Sequence, residues 1–220
     1  MTEEEQFSAA EQAEEERKLD EELNQELDYG NEEVTVTGGQ EYSYNMKIPK
    51  DRVAVLIGAK GKDKRELEDY CKARINVDSK EGDVMISGTD ALKLYELREV
   101  IKAIGRGFNP QTALLLLKPD YMIEIINLRE YGADNKNKLM RIRSRVIGTG
   151  GKARKTIETL TYCSISVYGK TIGILGEVTE VGNAKRAVEM IITGAMHSTV
   201  YKWLEGQRRK ARMESRGQGF

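Results

Sequence analysis

Tyr42, Tyr44, Met46 and Ile48 alternate with polar residues, the period of a half-buried strand. Pro49 behind them suits the start of a short helix. A glycine loop over 58–61 follows, and then Leu67, Tyr70 and Cys71 fall at helical spacing, predicting a helix that buries all three. Two strands around the turn Lys80-Glu81-Gly82-Asp83 predict a hairpin. A long helix over 89–104 places Leu94, Leu97, Ile101 and Ile104 on one face. Further on the pattern predicts a strand over 122–128, a helix over 135–147, a second glycine loop, a helix over 152–161, a hairpin turning at Gly169-Lys170 and a long helix ending near Gly194.

That second set is a copy of the first, displaced by 90 positions. Gly58-Ala59-Lys60-Gly61-Lys62 falls on Gly148-Thr149-Gly150-Gly151-Lys152, Leu67-Glu68 on Ile157-Glu158, and Ile75-x-Val77 on Ile165-x-Val167. After a two-residue slip in the hairpin, Val84-x-Ile86-x-Gly88 matches Ile172-x-Ile174-x-Gly176. The long helices agree as well, since Val181, Ala184, Val188 and Ile191 repeat the spacing of Leu94, Leu97, Ile101 and Ile104. A repeat of this length means two modules of one fold. Each has one amphipathic sheet that needs its helices packed on one face, an α+β architecture.

Composition changes this picture in one respect. The net charge of −1 over 220 residues is an average of two opposite parts. Residues 1–33 carry 14 acids and 2 bases, which leaves 33 bases and 22 acids for residues 34–220, a net charge of +11. Residues 1–33 also have little to bury, and they read as a disordered acidic arm. The basic remainder points to a polyanionic partner such as nucleic acid. Apolar runs reach only five residues, as at 113–117, far too short to span a bilayer, so no membrane role is expected. An acidic start argues against secretion, and two cysteines with one histidine can build neither a zinc site nor a disulfide framework. Cys71 and Cys163 read as buried small hydrophobes, in a reducing cytoplasmic setting with no metal and no cofactor.

The loops between paired helices carry the candidate chemistry. Glycine lacks a Cβ, so a polynucleotide backbone can approach the main chain, and each loop feeds a helix N-terminus that favours phosphate. Taken alone the Gly-x-x-Gly pattern means little, because 21 glycines give about two such matches by chance and three occur. The third, Gly173 to Gly176, lies among apolar strand residues and reads as a strand end. The other two stand at equivalent places in a repeat with bases behind them. From Lys136 to Lys155 there are eight bases and no acid, whereas 46–65 has seven bases and two acids. On the helix over 135–147, Lys138, Arg141 and Arg145 form a stripe beside the apolar positions Leu139, Ile142 and Val146, a candidate phosphate ridge leading into the loop.

Other chemistry fits less well. Gly148-Thr149-Gly150-Gly151-Lys152-Ala153 matches a dinucleotide fingerprint in letters but lacks the acid about 20 residues on. As a Walker A loop it fails at Val146 and Ala153. His197 has no nucleophile nearby in sequence, and no catalytic residue is expected. Past Gly194, Met196, Val200, Trp203 and Leu204 recur at helical spacing behind Ser198-Thr199, predicting a final helix that packs its Trp203 face, with a mobile basic tail after it.

The element order around the glycine loop is that of KH domains, which clamp about four single-stranded nucleotides with it. With Ile147-Gly148-Thr149-Gly150-Gly151-Lys152-Ala153-Arg154-Lys155, Ser166-Val167-Tyr168-Gly169-Lys170-Thr171 and the segment Gly194-Ala195-Met196-His197-Ser198-Thr199-Val200-Tyr201, the chain closely resembles the archaeal relatives of the eukaryotic Dim-two/partner-of-Nob ribosome assembly factors. The match covers about 42–205. The resemblance implies two tandem type I KH domains (strand-helix-helix-strand-strand-helix), each a three-stranded antiparallel sheet with helices on one face. Domain 1 spans 40–118, domain 2 with its final helix spans 119–205, and a basic tail covers 206–220. It also implies single-stranded ribosomal RNA as partner near the 3′ end of the small-subunit RNA, the Nob endonuclease, and a translation initiation factor subunit. The residues expected to touch RNA are Gly58, Ala59, Lys60, Gly61, Lys62 and Lys64 in the first domain. In the second they are Arg141, Arg145, Ile147, Gly148, Thr149, Gly150, Gly151, Lys152, Arg154 and Lys155, with Ile57, Ile75 and Ile165 offering apolar contact to bases. Two other readings stay open on sequence alone: a nucleotide-dependent enzyme using the Gly148 loop, and an RNA-independent adaptor whose basic face docks an acidic protein.

Overall fold

The computed structural model describes residues 34–37, 41–133 and 135–217, the first four and the last four as backbone only; the acidic arm, 1–33, lies outside the described residues. The first module opens with strands β1 (Val34–Thr37) and β2 (Glu41–Lys47), then helices α1 (Lys50–Ile57) and α2 (Lys62–Cys71), strands β3 (Arg74–Val77) and β4 (Asp83–Gly88), and helix α3 (Ala91–Gly105). A connection with a short helix α4 (Pro110–Ala113) and one 3-10 turn (Leu114–Leu117) leads to the second module. There the order is β5 (Tyr121–Asn127), α5 (Lys136–Ile147), α6 (Lys152–Thr161), β6 (Ser164–Tyr168), β7 (Thr171–Glu177) and α7 (Val178–Ile192). Helix α8 (His197–Gly217) closes the chain.

Both sheets are antiparallel, in the order β1-β2-β4-β3 and β5-β7-β6. Three strands per module were expected, and the first sheet carries a fourth, β1, paired with β2 from Val34–Tyr44 to Thr37–Glu41. The helix ends follow local chemistry. Asp90 accepts the N–H groups of Leu92 and Lys93 at the start of α3, and Asn135 accepts that of Lys138 at the start of α5, the capping that these side chains favour. The predicted stripes Leu94, Leu97, Ile101, Ile104 and Val181, Ala184, Val188, Ile191 are all buried. Cys71 and Cys163 are buried too, but Tyr70 is 57% exposed, because Leu67 and Cys71, four apart, fill the buried stripe of α2 and leave it at the margin.

The two modules form a common interface. Helices were expected on one face of each sheet, yet the whole of β7 from Thr171 to Gly176 is buried. Ile172 and Ile174 belong to the second core, while Leu175 belongs to the first, so the face of this sheet away from its own helices is covered by the other module. A central strand buried on both faces reads as an unbroken apolar run instead of alternating. Phe108 lies directly on Gly173, where an added Cβ would stand 2.6 Å from the ring, so this glycine is a mid-strand seat for an aromatic and not a strand end. Polar contacts frame it: Ser166 Oγ donates to the Arg106 carbonyl (2.9 Å), Arg106 Nη1 to Thr171 Oγ1 (3.2 Å), and the Tyr168 hydroxyl to the Asp51 carboxylate (2.8 Å).

The predicted tail also differs. Helix α8 begins at His197 and continues to Gly217, so residues 206–217 extend the helix. Val200 and Leu204 are buried in the second core, with Trp203 packed against it and the Arg186 guanidinium 5.6 Å from the Trp203 ring centre.

Candidate nucleic-acid interface

The two glycine loops have one backbone shape. Gly58 and Gly148 take φ of 70° and 71° at the ends of α1 and α5, and Gly61 and Gly151 take 74° and 73° at the starts of α2 and α6. The third loop position is left-handed in both copies, with φ 54° at Lys60 and 58° at Gly150. A lysine in that conformation is disfavoured by its Cβ, and the first loop is braced for it: Arg65 Nε donates to the Gly61 carbonyl (3.0 Å) and its Nη2 to the Lys60 carbonyl. Ala59, Lys60, Lys62, Thr149, Gly150, Lys152 and Lys155 are exposed, as is Arg141 on α5. Each loop joins one helix to another, whereas a dinucleotide fingerprint needs a strand before it.

The loops differ in electrostatics. Nothing caps the first turn of α6, and no acid lies in it. In α2 the equivalent of Ala153 is Asp63, whose carboxylate sits so close over Gly58 that a Cβ there would run into it. A carboxylate at a helix N-terminus favours the helix, but it fills with negative charge the place where the first loop would receive phosphate. The signal was legible in the repeat, as the one acidic residue facing an apolar one just behind the loops.

The structure separates the other expected residues. Lys64 and Arg154 flank the loops but pair with Glu68 (3.7 Å) and Glu158 (3.9 Å) one turn on. Each glutamate also accepts a main-chain N–H at 2.8 Å, from Ile75 and Ile165 respectively, tying the second helix of each module to its edge strand. This role was missed, although the match of Glu68 to Glu158 marked it. Ile75 and Ile165 are 2% and 3% exposed, inside the cores, and cannot offer a surface to bases; Ile57 and Ile147, half-buried beside the loops, can. Arg145 departs from the ridge, because its Nε and Nη2 donate to the carbonyls of Ile191 (3.3 Å) and Ala195 (2.8 Å), leaving Lys138 and Arg141 on that face. His197 Nε2 in turn donates to the Arg145 carbonyl (2.8 Å), so the histidine is a structural contact. Burial pushes the thiols of Cys71 and Cys163 up to about 11, far from a nucleophile's range. Among the described residues no group of side chains could hold a metal ion, and no helix is long and apolar enough to cross a membrane.

Comparison with known proteins agrees with this geometry on both modules. The family described as a KH domain matches residues 43–103, and that described as a eukaryotic type KH-domain (KH-domain type I) matches 122–209. A KH domain-containing protein of Methanocaldococcus jannaschii is 45% identical over 177 residues, 78% of this chain and 77% of its own. The pre-rRNA-processing protein PNO1 of Coccidioides immitis is 29% identical over 76% of this chain and 69% of its own. The crystal structure of an a/eIF2alpha-aDim2p-rRNA complex from Pyrococcus horikoshii matches with a TM-score of 0.72 at 41% identity, covering 77% of this chain and 96% of that one. The chain belongs to the archaeal branch of the Dim2/Pno1 family of KH-domain proteins. Within a Dim2/Pno1 protein the helix that follows the second KH module is part of the matched region, which runs to Arg209, and here Arg145 and His197 fasten its start to the end of α5. Helix α5 runs into the glycine loop at that same end, so in this Dim2/Pno1 chain the C-terminal helix and the candidate clamp share one support.

Proposed function

We propose that this protein is a binding factor, performing no reaction itself, that holds single-stranded RNA near the 3′ end of small-subunit ribosomal RNA, with the second KH module as its principal grip. The coarser part, RNA binding in ribosome biogenesis, follows from Dim2/Pno1 membership. The finer part rests on the second loop: exposed Thr149 and Gly150 precede an uncapped, acid-free helix start, with Lys152, Lys155 and Arg141 exposed around it. Main-chain N–H groups and helix dipole would seat the phosphates, the bases would supply sequence-independent attraction, and Ile147 would offer apolar contact to a splayed base. The relative solved with an a/eIF2alpha subunit and rRNA supports the same two kinds of partner for this chain, and the family resemblance extends the proposal to the Nob endonuclease, in the cytoplasm.

Crosslinking the protein to total cellular RNA and sequencing the contacts tests this. Enrichment at the 3′ end of the small-subunit RNA is expected. Contacts spread evenly over the ribosomal RNAs would reject the finer reading.

A further inference from the structure

We propose that the basic end of α8, together with Tyr162, is a second RNA-contact surface that takes the strand where it leaves the glycine-loop clamp. The inference rests on the second glycine loop being that clamp. Helix α8 starts beside the end of α5, where His197 meets Arg145, and by Arg208 it has reached Tyr162, just past the end of α6. The two helices therefore run side by side, away from the loop. From Gly151 to Tyr162 the path is about 16 Å at ~1.5 Å per residue.

Three features meet at the far end. The stretch 206–213 contains Arg208, Arg209, Lys210 and Arg212 and no acid, and Arg209 and Lys210 are exposed. Tyr162 is 70% exposed and left-handed, with φ 55°, at a position filled in the first module by Lys72 with φ 50°. The local backbone therefore does not demand an aromatic there, and no core receives it. Arg208 holds the ring in place, its guanidinium 5.0 Å from the ring centre and bonded to the hydroxyl. An exposed ring set among arginines and lysines is the combination that binds single strands, by stacking bases and pairing phosphates. A clamp for about four nucleotides leaves a longer RNA free to continue along α6 to this platform.

The test compares two RNAs with the same core, one of five and one of about twenty nucleotides, for the full chain and the variants Arg209→Ala with Lys210→Ala, and Tyr162→Asn. Asparagine tolerates the left-handed backbone, and all three side chains are on the surface, so melting temperatures should hold. Both variants should bind the short RNA within twofold of the parent and the long RNA at least about fivefold more weakly. The double variant should also flatten the slope of log K against log salt for the long RNA by about 1.4, the share of two phosphates on a single strand. Unchanged affinity and slope for the long RNA would overturn the proposal, and so would an equal loss on both RNAs, which would place the effect at the loop. Thr149→Asp with Gly150→Asp serves as the separate control. If that folded variant keeps its affinity for the short RNA, the clamp reading itself fails, whatever the α8 variants do.

Discussion

His197 bonds the main-chain carbonyl of Arg145, while the Arg145 guanidinium bonds the carbonyls of Ile191 and Ala195 on the segment that leads to His197. The end of α5 and the start of α8 are thus held by reciprocal side-chain to main-chain bonds, one turn before the glycine loop.

Arg145→Ala should therefore act first on stability. Losing bonds from a charged donor to two main-chain carbonyls costs about 1.5–3 kcal/mol, and the loss should appear as a lower melting temperature. Arg141→Ala, from the exposed face of the same helix, should leave melting unchanged and weaken RNA binding. If the two variants behaved alike in both assays, the assignment of Arg145 to bracing and Arg141 to phosphate would be wrong.

The two glycine loops should not be equal. Thr149→Asp with Gly150→Asp puts charge into the open loop and should nearly abolish RNA binding. Ala59→Asp with Lys60→Asp acts on a loop already faced by Asp63, and should weaken binding less and shorten the protected footprint. Aspartate is tolerated at positive φ, so circular dichroism should find both variants folded. A larger loss from the first-module variant would make that module the principal grip.

Glycines at two sites should respond to alanine with opposite sign. Gly173→Ala would press its methyl group into Phe108 and loosen the contact between modules, an overpacking cost of about 1–3 kcal/mol. Gly182 lies inside α7 with nothing within 4 Å of an added Cβ, and its replacement should stabilise by about 0.5–1 kcal/mol. Denaturant unfolding of both variants checks the pair; a stabilised Gly173→Ala would contradict the packing described.

Cys71 and Cys163 should not react with a disulfide reagent in the folded protein at pH 8. With the thiols pushed up to about 11, mainly by burial, only about 0.1% is thiolate at that pH. These groups favour the folded state most below pH 9, and that contribution falls as pH rises through 11, because the native state keeps its protons longer. Titration with and without denaturant should find two thiols only in the unfolded chain.

What could be read along the chain was whatever depends on neighbours a few residues apart. The copy at 90 positions, the helix and strand periods and the two glycine loops are all local, because turns need positive φ and faces repeat at fixed intervals. The side of a face that ends up covered is a different matter. The strand period put Ile165 and Val167 on one side, but only packing buried Ile165 in the core, and it set Tyr70 outside while seating Phe108 on Gly173. The bonds of Arg145 reach partners 46 and 50 residues away, so by spacing it belonged with Arg141, and only the fold turned it from phosphate to carbonyl. The stretch from Arg208 onward looked like a loose tail, being polar and without a stripe. It is a helix that runs along α6 as far as Tyr162, contacts that no interval in the sequence encodes.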